Sequence, residues 1–422
     1  MTTRSNAVAF ATEEKCGLIF ATGVRAGDWI FLNGIIPRDL GDQSRPLTGR
    51  PIPLEQAESV WEQTVDLLGR AQSDVSRIVR ADQVFADWRA VPFFHSTRLA
   101  MCRAYVAPST SVLVPEMLVP GALLTADFIA FSDLETHFQP IRPEGLDIPA
   151  TSSFAPVVKA GPLVFVAGFM AAHGRGDLGG IAPDAKVPTG HLWKGNRIEL
   201  ETRYLIREKL VPALAGAGLS LSDVVKANVY LSDITDLPAF NGIWNEVFGG
   251  RMPATTVTPT SQPGFAIAEA SLEINLVAAS NPAEVERIET DRARMATCSG
   301  YPAAVRAGGL LHLSGLVAAD AGGLVDVARI DNRDRYLASS VEAQMDYLLD
   351  LIEEICAAAG TSVRNVVRMT LAHIDLCEFL PAMRVWERRY PGLPLPASAI
   401  RVPGPLMVPG CSVQVDVWVY AP

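Results

Sequence analysis

The chain has 422 residues, 49% of them hydrophobic and only 19% charged, which supplies material for several cores and is too apolar for a disordered polymer. Lysine and arginine total 36 against 46 acidic residues, a net charge of −10. No basic block interrupts that balance, so the phosphate-neutralising surface required by a nucleic-acid partner is missing.

The first strand signal is written three times. Residues 24–34 recur as 158–168 and again as 305–315, each with an early Ala-Gly (Ala26-Gly27, Ala160-Gly161, Ala307-Gly308) and a final glycine (Gly34, Gly168, Gly315). The copies are one small domain apart, which points to three tandem domains, at 1–135, 150–281 and 296–422. Each copy reads as one apolar strand ending at the shared glycine. A helix follows, with apolar positions at helical spacing: Ala57, Val60, Thr64, Leu67 and Leu68 in the first copy, Val341, Met345, Leu348, Ile352, Ile355 and Ala359 in the third. In the second copy residues 199–215 serve as this helix, with a kink expected at Pro212. Next come strands at 78–87, 224–233 and 366–375, each ending in Asp. A short helix opens near Pro92, Pro238 or Pro381, and Pro108, Pro253 or Pro396 introduces two closing strands, the last at 124–130, 272–278 and 413–419. Connectors are read at 135–150 and 280–295, and the glycine-rich stretch 173–197 as a surface insertion rather than a lid. The fold class is α+β, with helices on one face of a sheet.

The second copy carries the fullest pattern. After its opening strand come Ala217-Gly218-Leu219-Ser220-Leu221-Ser222-Asp223, Val229-Tyr230-Leu231-Ser232-Asp233, Phe240-Asn241, Met252-Pro253-Ala254-Thr255-Thr256-Val257 and Leu272-Glu273-Ile274. In these residues the chain resembles the Rid (YjgF-type) superfamily, whose fold is similar to a chorismate-mutase-like trimer. The resemblance implies three YjgF-like domains around a pseudo-threefold axis, sheets inward and helices outside, with a cleft between each adjacent pair. In the deaminase branch it further implies an Arg in a Pro-Ala-Arg-Ser/Thr motif gripping a substrate carboxylate. A Glu on the last strand helps water attack an imine, and an early aromatic and an Asn on the short helix complete the site. Carried onto this chain, the Arg position falls on Thr110, Thr255 and Ser398, so no copy keeps the guanidinium. The Glu position falls on Thr125, Glu273 and Gln414, the Asn position on His95, Asn241 and Arg384, and the aromatic on Phe20, Phe154 and Tyr301. The three clefts are therefore expected to be chemically unlike.

Glu273 is the candidate acid/base. It alternates with Leu272 and Ile274 on its strand, and burial in a cleft would raise its pKa to a useful range. Asn241, Thr255 and Tyr301 are candidates for holding substrate. Arg384 and Arg401 are candidates to replace the lost carboxylate anchor, with a surface or inter-unit ion pair as the competing reading. His95 is a candidate proton carrier and Ser398 a hydroxyl ligand, though Ser398 and Thr255 lack the Gly-x-Ser-x-Gly setting of a nucleophile. His312 and His373 have no metal-ligand spacing, so neither metal nor cofactor is expected. Cys16, Cys102, Cys298, Cys356, Cys377 and Cys411 are scattered and read as reduced thiols. With Glu13 and Glu14 early and no apolar signal core, a cytoplasmic protein is expected, either a monomeric pseudo-trimer or a dimer of it, with a small-molecule substrate and no membrane partner. Three functions stay open: hydrolysis of a C–N bond as in an imine or enamine deaminase or an amide hydrolase, a chorismatase-like hydrolysis of a cyclic acid, and non-catalytic small-molecule binding. The sequence leaves open which neighbour completes the cleft around Glu273.

Overall fold

In a computed structural model, which describes residues 6–41, 49–132, 138–148, 153–174, 179–192, 194–297, 300–334 and 337–422, the repeated stretch is a hairpin and not a single strand. Cys298 lies outside the described residues. The first repeat contains β1 (Val8–Lys15), β2 (Leu18–Ala26), β3 (Trp29–Ile35), α1 (Ile52–Arg70), β4 (Ile78–Phe85), α2 (Ala90–Cys102), β5 (Ser109–Leu113) and β6 (Leu124–Phe131). The second contains β7 (Phe138–Ile141), β8 (Val157–Ala160), β9 (Leu163–Phe169), α3 (Asn196–Leu205), α4 (Val211–Gly216), β10 (Val224–Leu231), α5 (Leu237–Phe248), β11 (Ala254–Pro259) and β12 (Leu272–Ala279). The third contains β13 (Glu286–Ile288), α6 (Asp291–Ala296), β14 (Ala304–Ala307), β15 (Leu310–Leu313), β16 (Leu316–Val317) and the small hairpin β17 (Ala319–Asp320) and β18 (Gly323–Leu324). It continues with α7 (Val341–Ala358), β19 (Val366–His373), α8 (Phe379–Arg389), β20 (Ala397–Arg401) and β21 (Val413–Tyr420).

The shared Ala-Gly is the hairpin turn. Gly27, Gly161 and Gly308 have φ of 60°, 52° and 60°, a left-handed conformation that L side chains resist. Strand order is the same three times: β1-β2-β3-β6-β4-β5, β7-β8-β9-β12-β10-β11 and β13-β14-β15-β21-β19-β20. Only the last pair of each sheet is parallel, because a helix crosses between its strands. The strands β7 and β13 lie within the expected connectors, so the second and third sheets begin before residues 150 and 296.

The helices bury the faces that their spacing marks, including Val60, Thr64 and Leu67 on α1 and Met345, Leu348 and Ile352 on α7. The predicted kink at Pro212 takes the form of a π-helical turn, Ile206–Leu210, between α3 and α4. Proline cannot donate a helical N–H, and the wider turn absorbs its ring. The stretch 173–197, where described, is partly tucked in: Ile181, Ala182 and Ala185 are buried in the second core.

The central strands β6, β12 and β21 are buried along their whole length, because helices cover one face and the other sheets cover the opposite one. One apolar cluster joins Phe31 and Val79, Phe165 and Val225, and Val367 and Trp418 from the three sheets. Edge contacts run head to tail: β5 lies against β9, β11 against β15, and β20 against β3. The closing glycine of each repeat sits where the neighbouring edge arrives. A Cβ on Gly168 would meet Glu273 Oε1 at 2.0 Å and Thr110 Oγ1 at 2.9 Å.

Candidate functional site

Glu273 lies at the junction of the first and second sheets, 4% exposed. Its position on β12, opposite Tyr230 of β10, turns the side chain away from the helix layer and toward the edge of β5. There the Ser111 backbone N–H donates to the carboxyl group. The same edge continues with Leu113 N–H donating to Gly264 O at 2.9 Å, so the second repeat satisfies an edge that would otherwise be unpaired. Burial pushes the Glu273 pKa up to about 8, and the Asp82 carboxylate adds to the rise, while the Ser111 N–H opposes it. At neutral pH this group carries a proton. Beside it, Asn275 Nδ2 donates to Thr110 Oγ1 at 2.7 Å.

His95 of α2 lies next to the same edge, with Nε2 3.4 Å from Ser111 Oγ, and Ser111 Oγ donates to Gln83 Oε1 at 3.1 Å. Burial, with a contribution from the Arg98 guanidinium, lowers the His95 pKa to about 3, so the imidazole is neutral at physiological pH. The structure therefore joins Glu273 and His95 through one strand. The neighbour that completes the Glu273 junction is the first repeat.

Behind this junction the sheets share a buried charge network. Arg80, Lys226 and Arg368 hold the same place on β4, β10 and β19, and all three are buried. Arg80 Nε donates to Asp82 at 2.9 Å, Arg368 pairs with Asp82 at 2.7 Å and Asp127 at 3.3 Å, and Lys226 pairs with Asp416 at 2.8 Å. Burial alone would raise the Asp82 pKa, but Arg80 and Arg368 hold it below the usual carboxylate value. Asp127 moves the other way: burial raises its pKa against the pull of Arg368.

The remaining candidates are elsewhere. Tyr301, 1% exposed, donates its hydroxyl to Asn241 Oδ1, so these two meet across the second and third repeats, at a different junction from Glu273. Thr255 turns its hydroxyl to Pro253 O at 3.0 Å. Cross-strand register explains why: Thr110 faces Asp82 and Ser398 faces Thr370, but the equivalent Asn228 faces Thr256. The counterpart of Thr110 is thus Thr256, which accepts from Lys226 Nζ at 2.7 Å. Counting from Pro253 is one residue out, because that proline enters its strand one position earlier. A similar slip affects Arg384. Counted from the aspartates Asp87, Asp233 and Asp375, each of which accepts an N–H two residues on, His95 and Asn241 match Met383. Arg384 is exposed on α8. Arg401 is exposed and pairs with Glu116 of the first repeat at 3.1 Å, the inter-unit ion pair that competed with an anchoring role. Ser398 Oγ donates to Asp127 at 2.8 Å at the third junction, with Gly34 N–H on the other oxygen at 2.6 Å. His312 and His373 are buried, and burial lowers their pKa values to about 3 and about 4.

Gln83, Ser111 and Arg98 belong to no motif in the sequence and are brought to this edge by the fold. Their signal is a break in an apolar pattern: Gln83 stands where β10 and β19 have Val229 and Leu371, and Arg98 stands where α5 and α8 have Trp244 and Trp386.

Comparison with known proteins places these features in a family. A family model described as Endoribonuclease L-PSP matches residues 145–280 and again 291–421, the second and third sheets. A RutC family protein of Pyrococcus abyssi is 34% identical over 109 residues, covering 26% of this chain and 74% of that protein. The 3-aminoacrylate deaminase RutC of Acinetobacter baylyi is 30% identical over 138 residues, 33% of this chain and 94% of the relative. Among solved structures, an endoribonuclease-type protein from Thermotoga maritima shares 22% identity, covering 34% of this chain and 98% of its own, with a TM-score of 0.27. Among the described residues no helix is long and apolar enough to cross a membrane. With two matches that together span more than half of its residues, the chain belongs to the Endoribonuclease L-PSP family, within the Rid superfamily that its repeats resemble.

Proposed function

We propose that the junction of the first and second repeats is an active site that hydrolyses a C–N bond of a small metabolite, and that the three repeats form a pseudo-threefold trimer folded from one chain. The observation that carries the reading is the buried, protonated Glu273 at the edge of β5, with a pKa of about 8. The name of the Acinetobacter relative, a 3-aminoacrylate deaminase, supports the reaction class. Glu273 gives its proton to the nitrogen of an imine, or to the carbon β to the nitrogen of an enamine, and either transfer leaves an iminium whose carbon is electrophilic. The resulting carboxylate then takes a proton from the water that adds to that carbon. The carbinolamine so formed collapses to a carbonyl and ammonia. The Thr110 hydroxyl, on the Glu273 side of β5, orients the substrate, and neutral His95 supports the strand from its other side through Ser111. Asn241, Tyr301 and Thr255 take no part in this step, since they face other contacts.

The head-to-tail edge contacts and the thrice-repeated strand order support the fused trimer. Cleavage of RNA, which the family's description names, finds little support in a chain of net charge −10. A chorismatase-like reading loses both of its cations, since Arg401 is ion-paired and Arg384 is exposed. The test is turnover of 3-aminoacrylate and related enamines by the wild type and Glu273→Gln. A fall of about 10²–10⁴-fold is expected for the variant. An unchanged rate on a substrate that the wild type turns over would leave Glu273 as no more than a cap on β5.

A further inference from the structure

Between α2 and the strands β4 and β5 the first repeat has a polar layer where the other two are apolar. Gln83, Arg98 and Ser111 replace Val229, Trp244 and Val257 of the second repeat and Leu371, Trp386 and Ala399 of the third. Arg98 is 4% exposed, and the contact that its guanidinium makes is Nη1 donating to Ser109 Oγ at 2.8 Å. Its Nε has no acceptor among the described residues. The same is true of Gln83 Nε2 and Thr97 Oγ1, on residues 1% and 7% exposed. No carboxylate pairs with Arg98 among the described residues, and the nearby Cys102 thiol, its pKa pushed up to about 11 by burial, stays neutral.

A buried guanidinium with unfilled donors is costly unless an anion meets it. The other buried basic residues illustrate the rule, since Arg80, Lys226 and Arg368 all contact aspartates. Arg98 is the exception, and the groups around it are rich in donors: its own N–H groups, the Gln83 amide and the Thr97 hydroxyl. We infer that this layer is a binding site for a small carboxylate, held by Arg98 and Gln83 on the opposite side of β5 from Thr110. A planar carboxylate matches the guanidinium fork, as a spherical ion does not. The layer lies across β5 from Glu273 and is a separate site from the one at that junction. As a binding site it stands on Arg98 alone.

The experiment is thermal unfolding of the full chain in sodium acetate or sodium formate, against sodium chloride at equal ionic strength. A saturable rise in Tm of a few degrees, specific to the carboxylates, is expected for the wild type. Arg98→Met should lose that rise, and so should Arg98→Trp, which installs the residue of the other two repeats and guards against a variant that fails to fold. Glu273→Gln should keep it, which separates this site from the catalytic reading. Equal Tm values in acetate and chloride for the wild type would overturn the inference, as would a carboxylate response that survives in both Arg98 variants.

Discussion

At the scale of single residues, the decisive fact is that Glu273 holds its proton. Its folded pKa of about 8 lies above the ordinary glutamate value of 4.5, so the stability it contributes is full below about pH 4.5 and lost as pH rises to about 8. Glu273→Gln should therefore gain stability relative to wild type across that window, by an amount on the order of a few kcal/mol, with no further gain above it. Urea unfolding at a series of pH values measures the difference. Arg368 gives the opposite kind of test. Arg368→Met strips a cation from Asp82 and Asp127 without removing either carboxylate, which should cost about 3–5 kcal/mol. A loss below about 1 kcal/mol would mean that the network is not coupled as its distances imply. Glu273 itself was legible in sequence, because strand alternation and the family pattern agree on it. Its partners were not. Which edges meet is a property of packing, so sequence alone cannot separate Asn241 and Thr255, which face other contacts, from Glu273. Thr255 and Arg384 also fell one residue away from their structural counterparts, Thr256 and Met383, because prolines mark element starts only loosely.

At the scale of elements, the repeated Ala-Gly is explained by its turn. Gly308 combines a φ of +60° with close approach of the second repeat, since a Cβ there would lie 2.7 Å from Leu163 Cγ. Gly308→Ala should destabilise the chain by at least about 1–2 kcal/mol, measured by chemical denaturation, because backbone strain and overpacking add. Helices were the easiest elements to read, since their 3.6-residue spacing is local, and α1 and α7 bury the marked residues. Short edge strands were the hardest. β7 and β13 lie in charged or proline-rich stretches with no alternation, and they are strands only because β8 and β14 offer them an edge.

At the scale of the whole molecule, the three sheets share an apolar centre and a charge network, so none of them is closed by itself. Strands β12 and β21, buried on both faces, would expose one face if the repeats parted. Unfolding should accordingly be a single transition, with circular dichroism and tryptophan fluorescence coinciding; separate transitions would indicate three independent domains. The repeat made three sheets of one strand order legible from sequence, but the order in which their edges meet is visible only in the structure. That order makes the three junctions unlike: Glu273 with the Ser111 N–H, Asn241 with Tyr301, and Ser398 with Asp127. The first holds Glu273, with its pKa of about 8, and the proposed function depends on that group. The most direct test is infrared difference spectroscopy of wild type against Glu273→Gln through a pH titration. The expected result is a protonated carboxyl band, absent from the variant, that persists at pH 7 and disappears with a midpoint near pH 8. A band already lost by pH 5 would contradict it.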